Sequence, residues 1–313
     1  MKIAIVGAGG VGGYFGARLA NSGQDVWFIA RGAHLAALRE RGLQVHSANG
    51  DVLVKPCQAT DSPARVGPAD IVVLAVKLWS TEEAVREAAP MVGADTAVVS
   101  FQNGVIAVDQ IQAAYGRTRT LGGVANIAAV IEQPGVIRHT GTMAQLTFGE
   151  LDGTISPRVQ ALAAACEKAG IAHKASDDIR KAIWEKYVFL VAASSMTSLT
   201  RLPLGPIRED PDTRALMVQI MSEVAAVGRA KGVHLDADLV DKLLARLDSL
   251  PRPMVASMLG DLERGSRLEL PWLAGGVVAM GKETGVPAPA NQFIYAALKL
   301  YADGRPADAR AGK

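Results

Sequence analysis

The stretch MKIAIVGAGGVG, Met1 to Gly12, decides how this chain is read. An apolar run, Ile3 to Val6, stops at Gly7, Gly9 and Gly12 with G-x-G-x-x-G spacing, and Tyr14 to Ala20 continue with a helical pattern. Strand, glycine turn and helix in that order open a dinucleotide-binding fold. Gly7 makes the tight turn, Gly9 lets the backbone approach a pyrophosphate, and Gly12 lets the helix pack close to the strand. Ala8, Gly10 and Val11 complete the loop, and the amides at the helix start can donate to phosphate oxygens. A lone glycine motif is weak; the strand before it and the helix after it make this one specific.

Around that opening, 313 residues suffice for two domains. Apolar residues make up 49%, enough for a sizeable core and against extended disorder. A formal charge of +2 without a Lys/Arg cluster points away from nucleic-acid and membrane partners. Cys57 and Cys166 lie far apart, form no disulfide framework and match no metal spacing, so no metal is expected. They fit a reducing compartment. The first strand leaves no room for a signal peptide, and no uncharged apolar run reaches the ~18 residues that suggest a membrane span. The expectation is a soluble, cytoplasmic protein.

Asp25 to Ile29 reads as the second strand. Where a NAD-preferring site places Asp or Glu, this chain has Ala30-Arg31-Gly32. A carboxylate there repels a 2′-phosphate, whereas the Arg31 guanidinium can pair with it, so NADPH is the expected cofactor. Two short strands follow around the hairpin signal Asn49-Gly50. Ala69 to Val76 is a continuous apolar run, as in a strand buried on both faces; it stops at Lys77, and a helix begins near Ser80. Thr96 to Phe101 is another such strand, ending in Gln102-Asn103-Gly104. Ligands of open parallel sheets bind beyond the carboxyl ends of the strands. The glycine loop, Lys77 and Asn103 should therefore meet at one crevice. Leu121 to Glu150 reads as antiparallel strands extending the sheet, and a helix over Arg158–Ala169 with a strand near Ile171–Lys174 closes the first domain.

From Asp178 onward the chain reads as helices punctuated by Pro and Gly, over 178–200, 211–231, 236–249, 253–264, 269–284 and 289–303. The fold class expected is therefore α/β plus all-α: a Rossmann-type domain over 1–175 and an all-helical substrate and catalytic domain over 176–313, enclosing a cleft. The last eight or so residues read as a loose tail. The Ala-, Val- and Leu-rich helices could pack within one subunit or across a homodimer.

Reducing a ketone puts negative charge on the carbonyl oxygen as hydride arrives, so a proton donor is needed beside it. His34, His46, His139, His173 and His234 read as scattered on strand edges and loops, in structural roles. Lys186, in Trp184-Glu185-Lys186-Tyr187, is the better candidate: Lys186, Leu190 and Ser194 share one helical face of an otherwise apolar stretch. A cation there costs desolvation energy unless something pairs with it, and Glu269 is the distant partner expected. A surface lysine paired with a nearby acid is the alternative that the residues alone leave open.

Taken in order, GAGGVG, Lys77 in VKLWST, Gln102-Asn103-Gly104, Trp-Glu-Lys around Lys186, and Ser257 followed by Glu269 make the chain resemble the ketopantoate reductases (2-dehydropantoate 2-reductases) from Met1 to about residue 303. The resemblance implies NADPH-dependent reduction of a branched 2-keto acid to a 2-hydroxy acid on the way to pantothenate. It implies Lys186 as the general acid, Glu269 beside substrate and cofactor ribose, and Ser257 on the substrate carboxylate. It also puts Lys77 and Asn103 on the nicotinamide side of the cleft, in reach of substrate, and Ala129 against the cofactor, with Gln102 and Gly104 flanking. The family type carries asparagines where this chain has Leu190, Ser194 and Leu204, and another where Ala274-Gly275 stand. The catalytic pair is thus kept while the substrate-reading groups change, which suggests a more apolar 2-keto acid or the same one held through Ser194, Ser195 and Thr197. Two other readings are C=N reduction of the opine or imine type, and a non-catalytic NADPH-binding protein, which would need no proton donor.

Overall fold

A computed structural model describes residues 1–308, so the end of the expected tail, 309–313, lies outside the described residues. The chain divides into two compact units between Ile183 and Trp184.

The first unit carries strands β1 (Lys2–Val6), β2 (Asp25–Ile29), β3 (Leu43–His46), β4 (Val52–Val54), β5 (Ala59–Thr60), β6 (Ile71–Leu74), β7 (Ala97–Ser100), β8 (Thr120–Gln133), β9 (Val136–Glu150) and β10 (Ala172–Ala175). Its helices are α1 (Gly10–Asn21), α2 (Gly32–Arg41), α3 (Thr81–Glu87), α4 (Ile106–Tyr115) and α5 (Pro157–Lys168). All ten strands join one sheet in the order β4-β3-β9-β8-β7-β6-β1-β2-β5, with β10 paired to β9. β2 and then β5 lie on one side of β1; β6, β7 and β8 follow one another on the other side, and the hairpin β3–β4 joins the far edge beside β9. The change of side between β1 and β6 is the switch point at which such sheets bind ligands.

Alternation along the strands explains why their sequences are apolar throughout. Ile3 and Ile5 of β1 pack with Phe28, Ile71, Val73 and Val99 in one core. Ala4 and Val6 pack with Val72, Leu74 and Val98 in the other. Side chains point alternately to opposite faces, so a strand covered on both must be apolar at every position.

Several elements depart from the sequence reading. Helix α1 starts at Gly10 rather than near Tyr14; its glycines have poor helix propensity, but close packing holds them, since a Cβ on Gly12 would lie 2.2 Å from the Gly7 carbonyl oxygen. Leu121–Glu150 does form the antiparallel strands expected, as one long hairpin of two strands, 14 and 15 residues in length, turning at Gly135 with φ +85°. Helices α2 and α4 add to the elements that the sequence pattern predicts. His34 is helical, in α2, rather than on a loop or strand edge.

The division between units falls inside α6 (Ile179–Thr200). The second unit continues through α7 (Leu204–Glu209), α8 (Pro211–Ala230), α9 (Leu239–Ser249), α10 (Ser257–Glu263), α11 (Ala274–Thr284) and α12 (Pro289–Leu298). Its starts and stops follow local chemistry. Asp210 accepts from the Thr213 amide at 2.9 Å ahead of Pro211, and Gly285 ends α11 at φ +74°. The buried Glu223 carboxylate accepts the Ala290 and Asn291 amides at 2.9 and 3.0 Å, capping α12 from a neighbouring helix. Observed α10 and α11 are shorter than their expected spans 253–264 and 269–284. Short α7 escapes the sequence pattern because six residues carry no readable period.

Candidate active site

Gly7 follows β1 with φ +97°, and a Cβ there would meet the Ala75 and Val76 backbone at 2.9 Å. Gly10 leaves no more room, because its Cβ would lie 2.0 Å from the carbonyl oxygen of Ala129. Ala129 sits at an irregularity in the β8–β9 ladder and so packs directly against the start of α1. Gly9, by contrast, faces open space, with nothing within 4 Å of a Cβ. A floor without a side chain beside the amides of a helix start suits a diphosphate, so the loop Gly7–Gly12, including Ala8 and Val11, fits a dinucleotide.

His34 reinforces this loop in a way its sequence position does not show. Its Nε2 lies 2.8 Å from the Ala8 carbonyl oxygen, and its Nδ1 accepts from the Gly135 amide at 3.1 Å. Satisfying both requires the neutral ring with the proton on Nε2, and burial pushes its pKa down, in keeping with that form. Histidine at this position therefore ties the glycine loop to the β8–β9 turn.

Arg31, at the end of β2, reaches across to α3. Nη1 and Nη2 each lie 3.1 Å from Glu83 Oε1, and Nη2 also contacts Glu87 Oε1. The hydrogen bond to Glu83, then the charge of Glu87, raise its pKa.

Parallel pairing of β1 with β6 and of β6 with β7 puts their carboxyl ends at one edge, bringing the glycine loop, Lys77 and Gln102–Gly104 together. Lys77 is exposed ahead of a short 3₁₀ turn, with Nζ 5.8 Å from the centre of the Trp79 ring. Gln102 is buried, and its side chain is a brace: Nε2 donates to the Val76 carbonyl at 2.9 Å and Thr81 Oγ1 at 2.8 Å, while Oε1 accepts from Ser100 Oγ at 3.0 Å. It fixes the loop after β6 to the end of β7. Gly104, at φ +80°, turns the chain just beyond Asn103.

In the second unit, Lys186 lies on α6 and is half-buried. Burial pushes its pKa down to about 8; the Glu269 carboxylate opposes that shift, and the Arg246 guanidinium adds to it. The ammonium is therefore a stronger acid than that of an ordinary lysine, which suits proton transfer near neutrality. Tyr187, the next residue, brings its hydroxyl within 2.9 Å of the carbonyls of Trp272 and Leu273, whose own amides donate to the Glu269 carbonyl. This anchors α6 to the turn that carries buried Glu269. Arg246, on α9, stands 5.4 Å from the centre of the Phe189 ring. Sequence reading passes over Arg246 because nothing local ties it to Lys186.

The residues at the family's asparagine positions behave differently from one another. Leu204 is 1% exposed and belongs to the core. Ser194 is buried, and its Oγ, like those of Ser195 and Ser198, has no hydrogen-bond partner among the described residues. Thr197 instead donates to the Ala193 carbonyl at 2.7 Å. Ser257 is exposed in the first turn of α10. Among the described residues, no group of three or more His, Cys, Asp or Glu could hold a metal ion, and no helix is long and apolar enough to cross a membrane.

Known proteins match the chain along both units. Residues 3–153 match the family model "Ketopantoate reductase PanE/ApbA" and residues 178–302 match "Ketopantoate reductase PanE/ApbA C terminal". The chain is 34% identical to a 2-dehydropantoate 2-reductase of Mesorhizobium japonicum, over 96% of this chain and 98% of that one. It is 33% identical to the uncharacterized oxidoreductase YkpB of Bacillus subtilis, over 96% and 99%. The crystal structure of a PanE/ApbA family ketopantoate reductase from Ralstonia eutropha superposes with a TM-score of 0.87 at 32% identity, covering 96% and 98%. Together with a dinucleotide-type α/β unit followed by a helical unit, these relatives mark an oxidoreductase acting on a CH–OH group. The chain belongs to the ketopantoate reductase family.

Proposed function

We propose that this chain uses NADPH to reduce 2-dehydropantoate, or a closely related 2-keto acid, to the corresponding 2-hydroxy acid, as a cytoplasmic step toward pantothenate. One observation carries the reading: a half-buried lysine, Lys186, whose pKa burial brings down to about 8 against the opposing charge of Glu269. Lys186 donates a hydrogen bond to the keto oxygen and passes its proton there as negative charge develops. Glu269 keeps enough of the ammonium protonated and orients it. Ser257 and the Ser194 hydroxyl bind the substrate's polar groups.

The loop Gly7–Gly12 holds the diphosphate of the cofactor and Arg31 its 2′-phosphate. Lys77, Asn103, Gly104, the backbone at Gln102, and Ala129 line its nicotinamide side. When bound, the reduced nicotinamide supplies the hydride that reaches C2. Burial of Leu204 and the aliphatic Leu190 favour a more apolar keto acid as the second reading. NADPH oxidation across a panel of 2-keto acids, with kcat/KM compared, tests both; 2-dehydropantoate turned over best supports the first reading, and no oxidation with any keto acid refutes both. Sedimentation of the purified chain distinguishes a monomer from the homodimer that the Ala-, Val- and Leu-rich helices would allow.

A further inference from the structure

We propose that Glu83 and Glu87 set the coenzyme preference of this chain by competing with the 2′-phosphate of NADPH for the Arg31 guanidinium. The inference rests on the NADPH-dependent reading above. Arg31 follows β2, and both glutamates lie on α3, which follows β6. In the sheet β1 lies between β2 and β6, so the ion pairs bridge over the carboxyl end of β1, where the glycine loop begins.

One guanidinium facing two carboxylates leaves a surplus negative charge. Both Nη atoms of Arg31 are engaged by Glu83 Oε1 at 3.1 Å, and Nη2 by Glu87 as well. A 2′-phosphate needs those same N–H groups for its own paired hydrogen bonds, and it brings further negative charge toward the two acids. The ribose 2′-hydroxyl of NADH brings no charge and can donate to a carboxylate. Held this way, Arg31 favours NADPH less than its charge alone suggests, and both coenzymes are used.

The side chains of Arg31, Glu83 and Glu87 are 58%, 46% and 35% exposed, so the cluster lies at the surface and can rearrange around a ligand. An exposed ion pair biases an equilibrium by at most about fivefold, so each glutamate contributes within that range. The charges lie 52 and 56 residues apart in the chain, which is why the pattern at the end of β2 shows only the arginine.

The test is direct titration of the full chain with NADPH and with NADH, followed by coenzyme fluorescence, for the wild type, Glu83→Gln, Glu87→Gln, the double variant and Arg31→Ala. The expected result is that the ratio Kd(NADH)/Kd(NADPH) rises in both single variants, rises about fivefold or more in the double, and falls in Arg31→Ala. A ratio that moves less than about twofold in the double variant, or falls, overturns the inference while NADPH-dependent reduction stands. A wild type that binds neither coenzyme overturns both.

Discussion

Raising the pH through 8 should suppress keto-acid reduction through a single event, loss of the Lys186 proton. Burial holds this ammonium near 8 instead of its ordinary 10.5. It is then protonated roughly ten to one at pH 7 and one to ten at pH 9. The value of kcat/KM for reduction should therefore fall about tenfold from pH 7 to pH 9, and about tenfold per further unit. Initial rates of NADPH oxidation at low keto-acid concentration read this directly. Glu269 raises the lysine's pKa, so Glu269→Gln should move the midpoint down by about 1 pH unit or more. Arg246 lowers it, so Arg246→Leu should move the midpoint up. Stability follows the same group with a defined sign. Between about 8 and 10.5 the unfolded chain binds more protons than the folded one, so this residue's contribution to stability rises with pH across that window. Below 8 the penalty of the buried charge is present in full, on the order of 3 kcal/mol. An alkaline limb near 10.5 in the wild type, or a midpoint that rises in Glu269→Gln, would refute the reasoning.

The glycine loop offers a paired test. Gly10→Ala drives a Cβ into the Ala129 carbonyl and should destabilise the fold by about 2 kcal/mol in urea unfolding, whereas Gly9→Ala meets nothing within 4 Å and should leave stability nearly unchanged while weakening dinucleotide binding. Gln102→Leu removes bonds to the Val76 carbonyl, Thr81 and Ser100 and should cost about 1–3 kcal/mol by the same assay, with coenzyme affinity reduced as the loop after β6 loosens. Leu190→Asn restores an amide that the family type carries; it should raise kcat/KM for 2-dehydropantoate relative to an unbranched, hydroxyl-free 2-keto acid, and an unchanged ratio would separate Leu190 from substrate reading.

What the sequence could reveal was local or periodic. Strands β1, β6 and β7 were legible because burial on both faces demands unbroken apolar runs, and the glycine spacing fixed the turn after β1. Lys186 stood out because no other charge shares its helical face near it. Contacts between distant segments left no such trace. His34 holds Ala8 and Gly135, 26 and 101 residues away, and neither partner contributes a side chain that could have marked the pairing. Arg31 reads as a phosphate ligand in the sequence because its two acids lie on another helix. Ser194, Ser195 and Ser198 gave no sign, as a sequence, that their hydroxyls would be buried without partners among the described residues.

The substitution Lys186→Met tests the chemistry most directly, with NADPH oxidation by 2-keto acids and NADPH affinity measured on the same preparation. Turnover should vanish while the coenzyme still binds close to wild-type strength. A Lys186→Met enzyme that reduced keto acids at the wild-type rate would leave the proton donor elsewhere and the proposed mechanism wrong.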